Sequence, residues 1–130
     1  MGASIVALFG ESEKGAYRHP YDCETVPQLL EKLGLAPPHS RGIHFAIQAI
    51  LYKRHILYLR VKEEGFSLDD YFEGLWLLDR HLLLRKVDAI CLPGVGDREF
   101  ISSLSESQVT KSSFLLTSEA DLYDYLTQVA

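Results

Sequence analysis

The sequence predicts an α/β fold: a small Rossmann-like or flavodoxin-like three-layer domain with a mainly parallel sheet of at least four strands. Four short apolar runs, at residues 4–9, 55–61, 87–92 and 113–117, alternate with stretches of helical periodicity. The first run, Ile5-Val6-Ala7-Leu8-Phe9, is apolar at every position and needs cover on both faces, as a central parallel strand does. With 130 residues, 47% apolar and 24% charged, the chain has the size and composition of one globular domain spanning residues 1–130.

The elements follow in order. Gly10 ends the first strand, and residues 10–23 read as a polar loop, long for a strand-to-helix connection. Thr25 caps a helix with Pro27 in its first turn, Leu29, Leu30 and Leu33 on its apolar face, and Gly34 as its stop. Residues 35–39 form a turn. A second helix spans residues 40–53, with Ile43, Ala46, Ile47, Ile50 and Leu51 on one stripe. Residues 55–61 are rich in apolar and aromatic side chains and read as the second strand.

After a turn at 62–67, Ser67 starts a helix with Asp69 and Asp70 on the positive end of its dipole. That helix runs to about residue 84, with Tyr71, Leu75, Leu78 and Leu82 on one face. Gly74 inside it implies close packing against a neighbour. Residues 87–92 form the third strand, stopped by Pro93-Gly94-Val95-Gly96, and Asp97 caps a helix to about residue 107. Residues 113–117 form the fourth strand. Ser118 caps the last helix, with Asp121 as capping-box partner and Leu122 and Leu126 facing inward.

The formal net charge is −5. Residues 1–65 hold eight basic and seven acidic side chains, and residues 66–130 hold five and eleven. This balance argues against a nucleic-acid partner, which needs a basic face. The cysteines, Cys23 and Cys91, suit a reducing compartment. Cys91 reads as a buried apolar residue, and Cys23, in a polar stretch, as exposed. The first apolar run is too short for a signal-peptide core or a membrane span, so a cytoplasmic protein without a membrane partner is expected.

In open parallel sheets, ligands bind beyond the carboxyl ends of the strands, where the strand order reverses. That rule selects residues 10–23, 63–70, 93–99 and 117–121. The first loop, Gly10-Glu11-Ser12-Glu13-Lys14-Gly15-Ala16-Tyr17, has the glycine spacing of a Walker A loop. Ala16 and Tyr17 replace its Lys and Ser/Thr, which excludes an ordinary P-loop NTPase. Gly10, Ser12, Lys14, Gly15 and Arg18 remain candidates for one phosphate contact, and Tyr17 for base stacking. The alternative is a polar surface loop.

The third loop reads Pro93-Gly94-Val95-Gly96-Asp97-Arg98-Glu99. It resembles the Pro-Gly-Gly-x-Gly-Thr-x-x-Glu signature of the lonely-guy phosphoribohydrolases and the wider SLOG group of nucleotide-handling Rossmannoid proteins. The likeness covers about seven residues. Val95 stands for a Gly, Asp97 for the Thr, the loop is one residue shorter, and the family's Gly-Leu-Met-Gly core is missing. The resemblance implies phosphate binding at Pro93, Gly94 and Gly96, with Glu99 near a glycosidic bond. A turn and helix cap explain the same residues without a ligand.

Acids crowd this edge: Glu11, Glu13, Glu63, Glu64, Asp69, Asp70, Asp97, Glu99, Glu119 and Asp121. They favour a sugar or a hard cation over a bare polyphosphate, and first-turn helix acids account for many of them without any ligand. No His-x-x-x-His or Cys-x-x-Cys pair exists, so no metal site is assigned and no cofactor is specified. His19 lies in the first loop near Cys23, without spacing that makes the two a catalytic dyad.

Two functions fit. One is a binding site for a nucleotide- or nucleoside-type small molecule, with N-glycosidic cleavage by Glu99 or Glu11 as its catalytic form. The other is a non-catalytic interaction or assembly subunit on the same fold. The apolar excess of helices 40–53 and 71–84 points to a homo-oligomer in either case.

Overall fold

The parallel strands form because apolar, β-branched and aromatic runs here are bounded by Gly, Pro and charged residues. A computed structural model of the chain describes residues 4–81, 86–103 and 113–128. Strands β1 (Ile5–Gly10), β2 (Tyr21–Cys23), β3 (His55–Arg60), β4 (Val87–Cys91) and β5 (Phe114–Leu116) make one sheet in the order β2-β3-β1-β4-β5. β1 pairs in parallel with both β3 and β4, and β4 in parallel with β5. All six residues of β1 are buried, as a central strand requires.

The helices among the described residues are α1 (Val26–Leu33), α2 (Gly42–Leu51), α3 (Leu68–His81), α4 (Arg98–Ser103) and α5 (Glu119–Thr127). Alternation along the strands divides the core into two layers. Val6, Leu8, Ile56 and Tyr58 pack with Leu29, Leu33, Ile43, Phe45 and Leu122, from α1, α2 and α5. Ile5, Ala7, Phe9, Leu57 and Leu59 face the other way, onto Tyr71, Leu75, Leu78 and Phe100 from α3 and α4. The architecture is therefore three-layer α/β, with a mostly parallel sheet between two helical layers.

The caps of the sequence reading recur in α1 and α5. Thr25 Oγ1 accepts from Gln28 N at 3.2 Å, and Ser118 Oγ from Asp121 N at 3.1 Å. The Asp121 carboxylate turns to Thr117, one residue before the cap, rather than closing the box on Ser118. Gly74 packs as expected: a Cβ there would strike the Phe9 ring, 2.8 Å from Cζ. Residues 82–84 and 104–107, the expected continuations of α3 and α4, lie outside the described residues.

Two differences matter. Residues 10–23 are not loop throughout, because Tyr21–Cys23 pairs antiparallel with β3 as an edge strand. Three residues are too few to show a strand period. Cys23 is also not exposed: it is 0% accessible, packed with Leu29, Leu33 and Ile56. The strand pairing turns its side chain inward, although its sequence neighbours are polar.

Burial pushes the Cys23 thiol up to about 11, with the Lys32 charge opposing in part. Burial raises Cys91, Tyr58 and Tyr71 as well, and Tyr125 to about 12. These groups are held protonated in the folded chain. For Cys23 the associated stability is complete below its ordinary pKa of 9.0 and is lost as pH rises through about 11. The urea midpoint is therefore expected to fall steadily from pH 9 to pH 11, and native-state alkylation of both cysteines to be slow at pH 7.5. A flat midpoint, or fast labelling, would contradict the buried thiols.

Candidate functional site

The carboxyl ends of β1, β3 and β4 open on one edge of the sheet, and the chain uses its own groups to organise it. α2 begins at Arg41-Gly42 without a side-chain cap. Ser40, the sequence-expected start, instead donates to Pro37 O at 2.6 Å. The first amides of α2 are supplied from elsewhere: Arg41 N donates to Glu64 Oε1 at 2.7 Å and Gly42 N to Glu64 Oε2 at 2.9 Å. Glu11 N donates to the same Oε2 at 2.8 Å. In return, Glu64 N donates to Glu11 Oε2 at 3.0 Å.

One carboxylate thus joins the end of β1, the start of α2 and the loop after β3. The N-terminal end of the α2 dipole favours a negative charge at this place, and the Glu64 carboxylate satisfies the amides there. Its geometry depends on glycine. A Cβ on Gly10 or on Gly42 would lie 2.7 Å from the other's Cα and collide with the Tyr58 hydroxyl. Tyr58, fully buried, donates to Glu11 O at 2.7 Å and fixes the turn out of β1.

The loop after β3 continues across the end of β1 toward β4. Gly65, at φ 87°, meets Gly94, at φ 80°, so closely that a Cβ on Gly65 would sit 2.6 Å from Gly94 O. Gly65 N donates to Tyr71 Oη at 2.6 Å, and Gly94 N to Thr117 O at 3.2 Å. Beside this junction lies a hollow of about 360 Å³ lined by Gly65, Phe66, Leu68, Gly94, Gly96 and Asp97. Phe66 is 73% exposed at its rim.

The expected site residues separate into three groups. Gly94, Gly96 and Asp97 line the hollow, and Pro93 is buried and outside its lining. Val95, which stands where the resembling signature has Gly, is buried in the layer under α3 and α4. Asp97 Oδ1 accepts from Phe100 N at 2.8 Å, so this carboxylate caps α4. Glu99 is exposed in the first turn of α4.

Gly10 and Glu11 belong to the Glu64 junction. The rest of the first loop turns away toward α1 and β3. Ser12 is buried and donates to Lys14 O at 2.8 Å, and Lys14 N donates to Leu33 O at 3.0 Å. Gly15 O accepts from Arg60 Nη1 at 2.6 Å, and the Arg60 guanidinium lies 4.4 Å from the Tyr17 ring. Arg18 lines a different hollow, of about 590 Å³, with Phe72 and Trp76 on the outer face of α3. The loop after β3 meets both loops, with Glu64 against Gly10 and Glu11 and Gly65 against Gly94, and the hollows at Gly94 and at Arg18 are lined separately.

Much of the acidic edge is engaged in backbone contacts. Besides Glu11, Glu64 and Asp97, Glu13 accepts from Leu35 N at 2.9 Å and Asp70 from Lys62 N at 2.8 Å. Among the described residues, no group of three or more His, Cys, Asp or Glu side chains gathers to hold a metal ion. No described helix is long and apolar enough to cross a membrane. His19 packs edge-on against Tyr21, with ring centroids 4.5 Å apart.

The sequence placed Glu64 and Phe66 in the selected segment 63–70 without giving either a particular role, and it did not mark Arg41, Gly42 or Tyr58 as site-forming. Ser40 hid the signal: it is a capping residue type, and only the folded chain shows that it bonds Pro37 O and leaves the first amides of α2 to a partner from another segment. Comparison with protein-family models, with curated proteins and with solved structures finds no match to this chain.

Proposed function

We propose that the chain is a small-molecule-binding domain for a nucleotide- or nucleoside-type ligand. The observation that carries this reading is the hollow beside the meeting of Gly65 and Gly94, with the exposed Phe66 in its lining. The parallel strands lie in the order β3-β1-β4-β5, the flavodoxin-like sequence, which reverses at β1 and β4. A doubly wound, Rossmann-like ancestry of the fold is part of the proposal, and in such sheets this reversal is the usual ligand position. The resemblance of residues 93–99 to the lonely-guy loop supports the same place.

Phe66 offers a flat apolar face to a base, and the turns at Gly94 and Gly96 admit a ligand close to the backbone. The reading is one of binding before catalysis. Glu11 is engaged with the Glu64 amide, which leaves Glu99 as the carboxylate for glycosidic chemistry. The buried free thiols support a cytoplasmic setting.

A panel of nucleosides and their 5′-monophosphates tests the proposal by thermal shift and calorimetry. A ligand at 100 times its Kd is expected to stabilise the chain by about 2.7 kcal/mol. Phe66→Ala is expected to weaken binding about tenfold, in line with base–aromatic stacking. Free base released from a bound nucleotide, and lost in Glu99→Gln, would establish hydrolysis. No shift with any member of the panel would sink the reading.

The second reading, an assembly subunit, is favoured by a specific surface. Tyr52, which follows α2, and Tyr123 of α5 are exposed and line a hollow of about 490 Å³, and Leu51, the last residue of α2, is exposed next to Tyr52 in the chain. A homodimer through this surface is expected to dissociate in Leu51→Glu. Sedimentation showing a monomer at high concentration would remove it.

A further inference from the structure

The hollow of about 590 Å³ on the outer face of α3 takes no part in the function proposed above. Arg18, Asp69, Phe72, Glu73 and Trp76 line it, and none of them lines the hollow at Gly65 and Gly94. Four of the five follow one another at spacings of three and four along α3, so they share one face of the helix. Arg18 reaches the same hollow from the segment between β1 and β2. The volume suits a small molecule, and the lining joins two aromatic rings to three charged groups.

The rings are braced from outside this lining. Phe72 meets the Phe100 ring edge-on, with centroids 5.0 Å apart, and the Arg80 guanidinium lies 4.6 Å from the Trp76 ring. Arg18 follows Tyr17, whose ring stacks on Arg60 and whose backbone bridges to the same residue. Phe72 and Trp76 nevertheless remain 47% and 56% exposed. The charged groups are also unspent. No side-chain hydrogen bond or ion pair among the described residues engages Arg18, Asp69 or Glu73. In this they differ from Glu13, Glu64, Asp70 and Asp97, whose carboxylates accept from backbone amides.

The signs of the charges select the ligand. A plain organic cation is drawn by Asp69 and Glu73 but repelled by Arg18, and a plain carboxylate meets the reverse. A ligand with both charges finds a partner for each. Trp76 already has one guanidinium against its ring, so the two carboxylates are the better place for an ammonium group. We propose that this hollow binds a zwitterionic α-amino acid with an apolar side chain. The ligand carboxylate pairs with Arg18, its ammonium group with Asp69 and Glu73, and its side chain packs on Phe72 and Trp76.

Trp76 is the single tryptophan of the chain, so its emission reports on this hollow directly. L-Phenylalanine, phenethylamine and hydrocinnamate share one ring and tether and differ in their charged ends. Titrated into the wild-type chain, phenylalanine is expected to give a saturable blue shift as Trp76 is covered. It is expected to bind about tenfold more tightly than either relative, the size of one charge-assisted contact. Arg18→Gln is expected to lose the margin over phenethylamine, and to bind phenethylamine more tightly than wild type does, because the opposing charge is gone. The double variant Asp69→Asn with Glu73→Gln is expected to do the same for hydrocinnamate. All three side chains are exposed, so an unchanged Tm is expected in both variants.

Phenethylamine binding wild type as tightly as phenylalanine would make the hollow a cation site and overturn the proposal. Hydrocinnamate doing so would overturn it in favour of an anion site. Equal binding of N-acetylphenylalaninamide, which keeps the ring without either charge, would reduce the hollow to an apolar surface. Phenylalanine affinity unmoved in both variants would overturn the assignment of the two charged ends. Neither an emission change nor calorimetric heat with phenylalanine would remove the site, and the nucleoside-type reading would stand untouched.

Discussion

Gly42→Ala is expected to destabilise the chain by about 3 kcal/mol, the upper part of the range for overpacking a well-filled site. Helix propensity alone predicts the opposite sign, since alanine is favoured over glycine by up to about 1 kcal/mol within a helix. The new methyl carbon would lie 2.7 Å from the Gly10 Cα. That atom is held at the end of the central strand, where Gly10 pairs with β3 and its carbonyl accepts from Val61 N at 2.9 Å. The Tyr58 hydroxyl, the other obstacle, is held by Glu11 O. Urea unfolding checks the outcome, and an unchanged or raised midpoint would show that α2 does not approach β1 this closely. Gly10→Ala is expected to lose a similar amount, and the double variant less than the sum, because both press on one gap.

Glu64→Ala is expected to cost about 3 kcal/mol by a different route. Hydrogen bonds to a charged acceptor contribute about 1.5 to 3 kcal/mol each, and three amides lose theirs together. The junction is half-buried, so water replaces part of the loss. Glu11→Gln removes one acceptor charge on the Glu64 amide and is expected to cost about 1 kcal/mol. Hydrogen exchange at Arg41, Gly42 and Glu11 separates this mechanism from general loosening: these amides should lose protection in Glu64→Ala beyond the global change. Equal loss across the whole sheet would point to Glu64 acting only through overall stability.

The fold was legible where local rules and the tertiary environment agree. The all-apolar run at 5–9 could be stable only with both faces covered, and β1 is the central strand. Thr25, Pro27 and Gly34 bound α1 in the way their backbone chemistry dictates, and Ser118 starts α5. β2 was illegible because three residues are too few to show alternation, and its pairing partner lies more than thirty positions away in the chain. The exposure of Cys23 was misjudged for the same reason: an edge pairing, not its polar neighbours, decides which way the thiol faces.

Of the candidate site, the sequence alone determined the edge of the sheet, the glycines at 94 and 96, and the crowd of acids around them. Composition and spacing are enough for that, because parallel strands put their following loops on one side. Only the tertiary structure decided what each acid does. Glu11, Glu13, Glu64, Asp70 and Asp97 were equivalent as letters, yet each receives a particular backbone N–H. The partners of Glu64 lie 53 and 22 or 23 positions away, a separation at which no local pattern survives. The loop after β3 was read as a turn and proved to be the bridge between the other two. Its path is set by the meeting of Gly65 with Gly94 and of Gly10 with Gly42. A glycine announces that the backbone has room, but the segment that fills the room is chosen by the folded chain.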